Sequence, residues 1–459
     1  MSPDSRPRTW ATSDRFIPRT FVRPFFHFTQ VEAASGIVLL VAAAVALIWA
    51  NSSWAGGYHQ LFQELHLEIS FGPIHLDESF GELINDGLMA IFFFVVGLEI
   101  KRELVLGELR DPKAAALPIL AALGGMLVPA LIYVAFNSGM GPEALRGWGI
   151  PMATDIAFAV GVLALLGKRV PPAGKLFILA LAIADDLGAI LVIAIFYTAD
   201  LSLGWLGLAI AGLATIAIAQ RVQIRSLAFF IPVAVFVWFA MLESGVHATL
   251  AGVALGFLTP ARALYSAREL ETSARQVLDL YPLGSGTVDE EKSDHEARLL
   301  AEIARESVAP LARLEHKLLP WSSFAVIPLF ALANAGVSFD GIDAGRVFTH
   351  PVALGVAVGL VAGKTVGISA FAWLAVRLGL GRLPTRTSWR HVVGLAAVAG
   401  IGFTVSLFVT GLAFTSDEFT DIAKLGIFAG SAIAGVVGTL ILLSAKPVPA
   451  NPGLESAAA

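Results

Sequence analysis

Beyond Val31 the chain shows neither the two-residue alternation of a half-buried strand nor the one-sided stripe of a surface helix. It runs instead in nearly unbroken apolar stretches divided by short polar breaks. About 20 apolar residues cross a bilayer as a helix. Twelve stretches approach that length, at about 33–50, 83–100, 114–136, 150–167, 176–198, 203–219, 226–242, 245–259, 322–337, 351–376, 392–414 and 425–445. The fourth, eighth, ninth and eleventh are short or interrupted by Gly and Pro. The pattern predicts an all-α polytopic membrane protein with twelve transmembrane helices.

Two segments depart from it. In "HLEISFGPIHLD" (66–77) Leu67, Ile69 and Phe71 alternate with polar residues, Gly72-Pro73 follow, and Ile74 and Leu76 resume the alternation, which is a hairpin signal. The stretch 260–320 is polar and mixed in sign, with 8 basic and 11 acidic residues. Its second half reads as an amphipathic helix on a membrane surface, and its first half as disordered.

Composition agrees. The 459 residues are 56% hydrophobic and 15% charged, against about 25% charged in soluble domains. With no cysteine, disulfides, thiolate metal sites and cysteine nucleophiles are excluded. A net charge of −5 gives no reason to expect a nucleic-acid partner. The basic N-terminus (Arg6, Arg8, Arg15, Arg19, Arg23) lacks the short apolar stretch and cleavage site of a signal peptide.

Lys and Arg set the orientation, because short cytoplasmic loops retain positive charge. With the N-terminus inside, the inner segments hold 27 basic residues and the outer ones 3, leaving Lys364 within the tenth stretch. The expected organisation is a cytoplasmic tail (1–30), eight spans (31–259) with an outer hairpin (66–77), an inner loop (260–320), four spans (321–445) and a cytoplasmic C-terminal tail (446–459).

Within the spans the ionisable residues are Asp86, Glu99, Asp155, Asp185, Asp186, His247 and Lys364. Each charge at the bilayer centre costs about 2.5–3.5 kcal/mol on insertion scales. Asp185 lies ten residues past Lys175, roughly 15 Å along a helix. Lys364 is thirteen residues from both Pro351 and Arg377, and Asp155 is nine from Arg146. Three acids and one base from three spans therefore fall at similar depth. A structural ion pair needs one acid and one lysine. Asp185 and Asp186 project about 100° apart on a helix, so the second acid is left for a cation or a proton. A pair of aspartates chelating magnesium in a soluble enzyme does not fit flanks made of hydrocarbon.

"GWGIPMATDIAF" (147–158) and "AGIGFTVS" (399–406) set helix-interrupting residues beside hydroxyls at matching places in two groups of spans, three to five and ten to twelve. The groups enter the membrane from opposite sides, so the repeat is inverted. Interrupted segments at corresponding positions mark the binding site of secondary transporters. Half-helix ends carry partial charge. Asp155 suits facing N-termini, and Lys364 suits facing C-termini.

The motifs "INDGLMAIFFFVVGLEIKREL", "ATDIAF", "DDLGAI", "SGVHATLAG", "PLFALANAGV", "GKTVGI" and "GIGFTVS" resemble those of the NhaA-type sodium/proton antiporters, over about residues 30–445 apart from the long loop. The resemblance implies an ion site at Asp185 and Asp186, with Asp186 the more direct Na+ ligand. It places Thr154 and Asp155 at the crossing of two broken helices, and pairs Lys364 with Asp185. Glu99, Glu103, Glu315, His316 and His247 match residues tied to pH response. The hairpin matches a dimer contact. The longer N-terminal tail and the longer loop before Glu315 depart from the family pattern.

The expected function is secondary active transport in a bacterial inner membrane: Na+, and with it Li+, leaves the cell in exchange for entering protons, two per Na+. No cofactor and no enzymatic step is expected, and the expected partners are Na+, Li+, H+, the lipid bilayer and a second copy of the chain. A sodium-coupled symporter of organic anions would want a larger cavity. An intramembrane aspartyl hydrolase would draw its two acids from different helices.

Overall fold

A computed structural model describes residues 32–71, 74–198, 201–280, 290–339 and 349–445. Both expected tails and the hairpin's Gly72-Pro73 turn lie outside the described residues. Among these residues, seven helices are long and apolar enough to cross a membrane, or up to ten if each of three bent pairs is one span. Two shorter apolar helices, Leu227–Glu243 and Thr249–Leu258, accompany them. Large apolar side chains such as Leu131, Ile195, Ile218 and Val436 point outwards, a surface that water would not tolerate over so wide an area. The protein is thus an α-helical, multi-pass membrane protein.

The contacts divide the chain into two compact units. The first comprises residues 1–89, 108–199 and 322–459. It opens with α1 (Glu32–Ala50), α2 (Ala55–His59) and the antiparallel strands β1 (His66–Phe71) and β2 (Ile74–Ser79), with Leu67 opposite Glu78 and Ile69 opposite Leu76. After α3 (Phe80–Leu83), a π-helical turn (Ile84–Leu88) carries Asp86 into α4 (Met89–Val105). The unit continues through α5 (Pro112–Asn137), α6 (Pro142–Arg146), α7 (Ile156–Leu166) and α8 (Pro172–Phe196). It resumes further along the chain from Ser322. Helix α5 packs along α8.

The second unit comprises residues 90–107 and 200–321. It holds most of α4, then α9 (Leu203–Arg221), α10 (Leu227–Glu243), α11 (Thr249–Leu258), α12 (Ala267–Leu280), α13 (Glu290–Glu306) and α14 (Pro310–Trp321). Back in the first unit are α15 (Ile327–Asn334), α16 (Pro351–Val358), α17 (Lys364–Arg377), α18 (Trp389–Val398), α19 (Phe403–Ala413) and α20 (Asp417–Ser444). Helix α17 lies along α5, and α16 and α18 lie along α20.

The stretch 260–320 differs from expectation. Its first half contains α12, where disorder was expected. Ser266 and Glu269 cap that helix reciprocally, with Ser266 N–H on Glu269 Oε2 at 2.7 Å and Glu269 N–H on Ser266 Oγ at 3.3 Å, a capping box. Its second half is two helices, divided before Pro310, where proline favours a first helical turn. Helix α14 runs on through a π-helical turn (Ser322–Val326) into α15. The apolar span over Pro310–Asn334 therefore begins inside the expected loop and carries Glu315 with it.

Candidate ion-binding site

Asp185 and Asp186 are consecutive residues of α8, and both are buried. Lys364 opens α17 directly after a π-helical turn, Gly359–Gly363. That turn presses on α5 and the first break: a Cβ at Gly363 would meet Pro129 Cα at 2.8 Å, and one at Gly359 would meet Pro151 Cβ at 2.8 Å. Only glycine permits this approach. It brings Lys364 Nζ to 2.5 Å from Asp185 Oδ2 and 3.0 Å from Thr154 Oγ1. All three side chains are fully enclosed. Asp186 lies within electrostatic reach of the same ammonium.

Thr154 sits in the break between the 3-10 turn Gly147–Met152 and α7, where the axis bends by 40°. The break between α18 and α19 bends by 48°. The two breaks are bonded to each other. Thr154 Oγ1 donates to Ala399 O at 2.8 Å, Asp155 N–H donates to Ile401 O at 2.7 Å, and Ser406 Oγ donates to Ile150 O at 2.7 Å. Each pairing satisfies a backbone group that a broken helix leaves open. Because the single Thr154 hydroxyl proton is engaged on Ala399 O, the oxygen's lone pairs face Lys364.

Asp155 serves the opposite polarity. One carboxylate oxygen accepts from Phe158 N–H at 2.9 Å, at the N-terminus of α7. The other accepts from Thr404 N–H at 3.1 Å and Thr404 Oγ1 at 2.6 Å, at the N-terminus of α19. A single negative group thus caps two positive helix ends. Lys364 reaches the negative end of α18 through the Thr154 hydroxyl. Sequence reading singled out Asp155 but not Thr404; the signal was the hydroxyl in "GIGFTVS", directly beside a helix interruption.

The donors gathered here are carboxylate, hydroxyl and carbonyl oxygens, the set that suits a hard cation. A cation and the Lys364 ammonium seek the same oxygens. Desolvation makes each lone charge costly, so occupation by a proton, an ammonium or a cation is competitive. Among the described residues no cluster of three or more His, Asp and Glu side chains is arranged as a multidentate metal site.

The other candidate residues lie in the second unit. Arg102 of α4 donates to Glu315 of α14 and to Glu103 Oε1 at 3.3 Å. Glu99 lies within electrostatic range of Glu315, Arg102 and Glu103. These three acids and one arginine form one cluster. His316 is exposed, and among the described residues no hydrogen bond or ion pair joins it to them. His247 precedes α11 and is half-buried, eleven residues before the far end of that helix at Leu258.

The profile of the family described as Na+/H+ antiporter 1 matches residues 26–442. A protein of Sorangium cellulosum named Na(+)/H(+) antiporter NhaA 2 is 46% identical over 445 residues, covering 96% of this chain and 94% of its own. One of Anaeromyxobacter sp. named Na(+)/H(+) antiporter NhaA is 48% identical over 423 residues, covering 92% and 91%. One of Syntrophobacter fumaroxidans with the same name is 46% identical over 422 residues, covering 90% and 89%.

Proposed function

The chain belongs to the Na+/H+ antiporter 1 family, and from that premise we propose that it is a secondary active transporter exchanging Na+, and also Li+, for H+ across a bacterial inner membrane. The observation that carries the reading is the enclosed meeting of Asp185, Lys364 and Thr154 beside Asp186. A structural ion pair accounts for Asp185 and Lys364. Asp186, within electrostatic reach of Lys364, is the principal Na+ ligand, with Asp185 and Thr154 completing the oxygen set.

Exchange follows from competition. In the proton-loaded state the site holds protons, and in the sodium-loaded state Na+ replaces them. Two protons leave per Na+, so transport is electrogenic. Either both aspartates release them, or Asp186 releases one and Lys364 the other when Na+ breaks its pair with Asp185. The 2.5 Å Lys364–Asp185 contact supports the second scheme. Replacing Lys364 with Gln leaves exchange electrogenic under the first scheme and electroneutral under the second.

The architecture we infer has twelve spans: the seven long helices, the three bent pairs and the two shorter apolar helices, with both termini cytoplasmic. Spans three to five and ten to twelve form the inverted repeat, and its two broken members meet at mid-membrane, with Asp155 and Lys364 offsetting their facing ends. Alternating access comes from one group of helices rocking against another. Glu99, Glu103 and Glu315 set the response to cytoplasmic pH, with His316 and His247 as secondary contributors. The β1–β2 hairpin joins two protomers.

Asp186→Asn tests the ion site. An amide nitrogen cannot replace an anionic oxygen around a desolvated cation, so the variant inserts but loses Na+-driven proton flux. Full flux in this variant would remove Asp186 from the mechanism.

A further inference from the structure

Lys101 has no place in the exchange chemistry, yet its ammonium is committed. Nζ donates to Phe257 O at 2.7 Å and to Thr259 O at 2.5 Å. These carbonyls close the C-terminal end of α11, where helical N–H partners have run out and a positive group meets the negative helix end. The next residue, Pro260, has no N–H to offer.

The approach of α4 to α11 makes this reach possible. A Cβ at Gly97 would meet Val253 O at 2.9 Å, and one at Gly252 would meet Ala90 O at 2.1 Å, so the two backbones touch. Lys101 stands one helical turn beyond Gly97 on the same face. Arg102, the next residue, projects about 100° away, towards α14. Pro260 O in turn accepts the N–H of Leu311 at 3.1 Å, in the first turn of α14, and Glu315 stands one turn further on. The links close a ring: Lys101 to the end of α11, Pro260 to Leu311, and Glu315 back to Arg102.

We propose that Lys101 is a positioning residue of the pH response, clamping α4 to the end of α11 so that Arg102 meets Glu315. The proposal rests on the reading that the cluster of Glu99, Arg102, Glu103 and Glu315 governs activation by pH. The groups facing Glu315 are Arg102, Glu103 and Glu99 from α4; His316, the next residue on its own helix, is exposed. Helix α11 brings no titratable side chain, only carbonyls. Nearby, Arg225 pairs with Glu306 at 3.0 Å, and Arg313 donates to Arg305 O at 3.0 Å.

The test measures Na+-driven proton flux against pH in proteoliposomes for wild type, Lys101→Arg, Lys101→Met, Glu315→Gln and the Lys101→Met/Glu315→Gln double variant, with Lys101→Gln as the milder change should Lys101→Met fail to accumulate. Arg keeps the charge and the donors and retains the wild-type curve. Met displaces the midpoint in the same direction as Glu315→Gln by about half a pH unit or more, while half-saturating Na+ at the optimum changes by less than about twofold. The double variant shifts no further, because both changes act on one unit. Amide hydrogen exchange over residues 255–264 and 311–316 speeds up in Lys101→Met. An unmoved midpoint, additive shifts or unchanged amide exchange would overturn the proposal. A wild-type protein without Na+-driven flux would instead overturn the exchange reading, and amide exchange alone would then decide whether Lys101 is a clamp.

Discussion

Lys364 Nζ lies 2.5 Å from Asp185 Oδ2 with both side chains wholly enclosed. Removing one partner of such a pair strands a buried charge and costs about 3–5 kcal/mol, whereas replacing both with packed apolar groups is close to neutral. Lys364→Met and Asp185→Leu should each lower the thermal unfolding temperature in detergent, and the double variant should recover most of the loss. Additive losses would mean that the two groups do not stabilise each other.

The cluster around Arg102 separates two neighbours that sequence alone would group. Glu315 is buried and bonded to Arg102, while His316 is exposed. Glu315→Gln should displace the activity–pH curve further than His316→Ala does. A larger displacement from His316→Ala would contradict this.

Glu78, at the end of β2, has its carboxyl raised from the ordinary 4.5 to about 7, chiefly by burial and then by the charges of Glu82 and Asp86. The folded protein therefore binds more protons than the unfolded chain between about pH 4.5 and 7. Its stabilising contribution is complete below that window and is lost as pH rises through it. Glu78→Gln should match wild type in unfolding temperature near pH 4.5 and exceed it at pH 8. Parallel curves for the two proteins would refute the shift.

Much of this was legible in the sequence, for identifiable reasons. Charges in hydrocarbon are rare enough that Asp155, Asp185, Asp186 and Lys364 stood out, and the structure brings Asp185 and Lys364 into contact. Helix interruptions at Gly and Pro located both breaks. A hydroxyl beside an interruption is a weaker flag than a charge, because a threonine in a span usually bonds its own helix, as Thr365 Oγ1 does to Val361 O at 2.6 Å. Thr404 was therefore missed. The π-helical turn before Lys364 was hidden because Gly359 and Gly363 also suit plain close packing. Helix α12 was passed over because its charges masked the capping pair Ser266 and Glu269.

None of the enclosed charged residues of the ion site belongs to the β1–β2 hairpin. Deleting Leu67–Leu76 should lower the dimer fraction seen by native mass measurement yet leave exchange detectable. An unchanged dimer fraction would assign the contact between protomers to another surface.

The most direct test is a reversal-potential measurement on the purified protein in liposomes under fixed Na+ and H+ gradients, read with a pH dye. Na+ and Li+ should each drive proton flux where K+ does not, and flux should vanish at the membrane voltage set by two protons exchanged per Na+. Flux indifferent to voltage, or absent with Na+, would contradict the exchange of two protons for one cation at Asp185, Asp186 and Lys364.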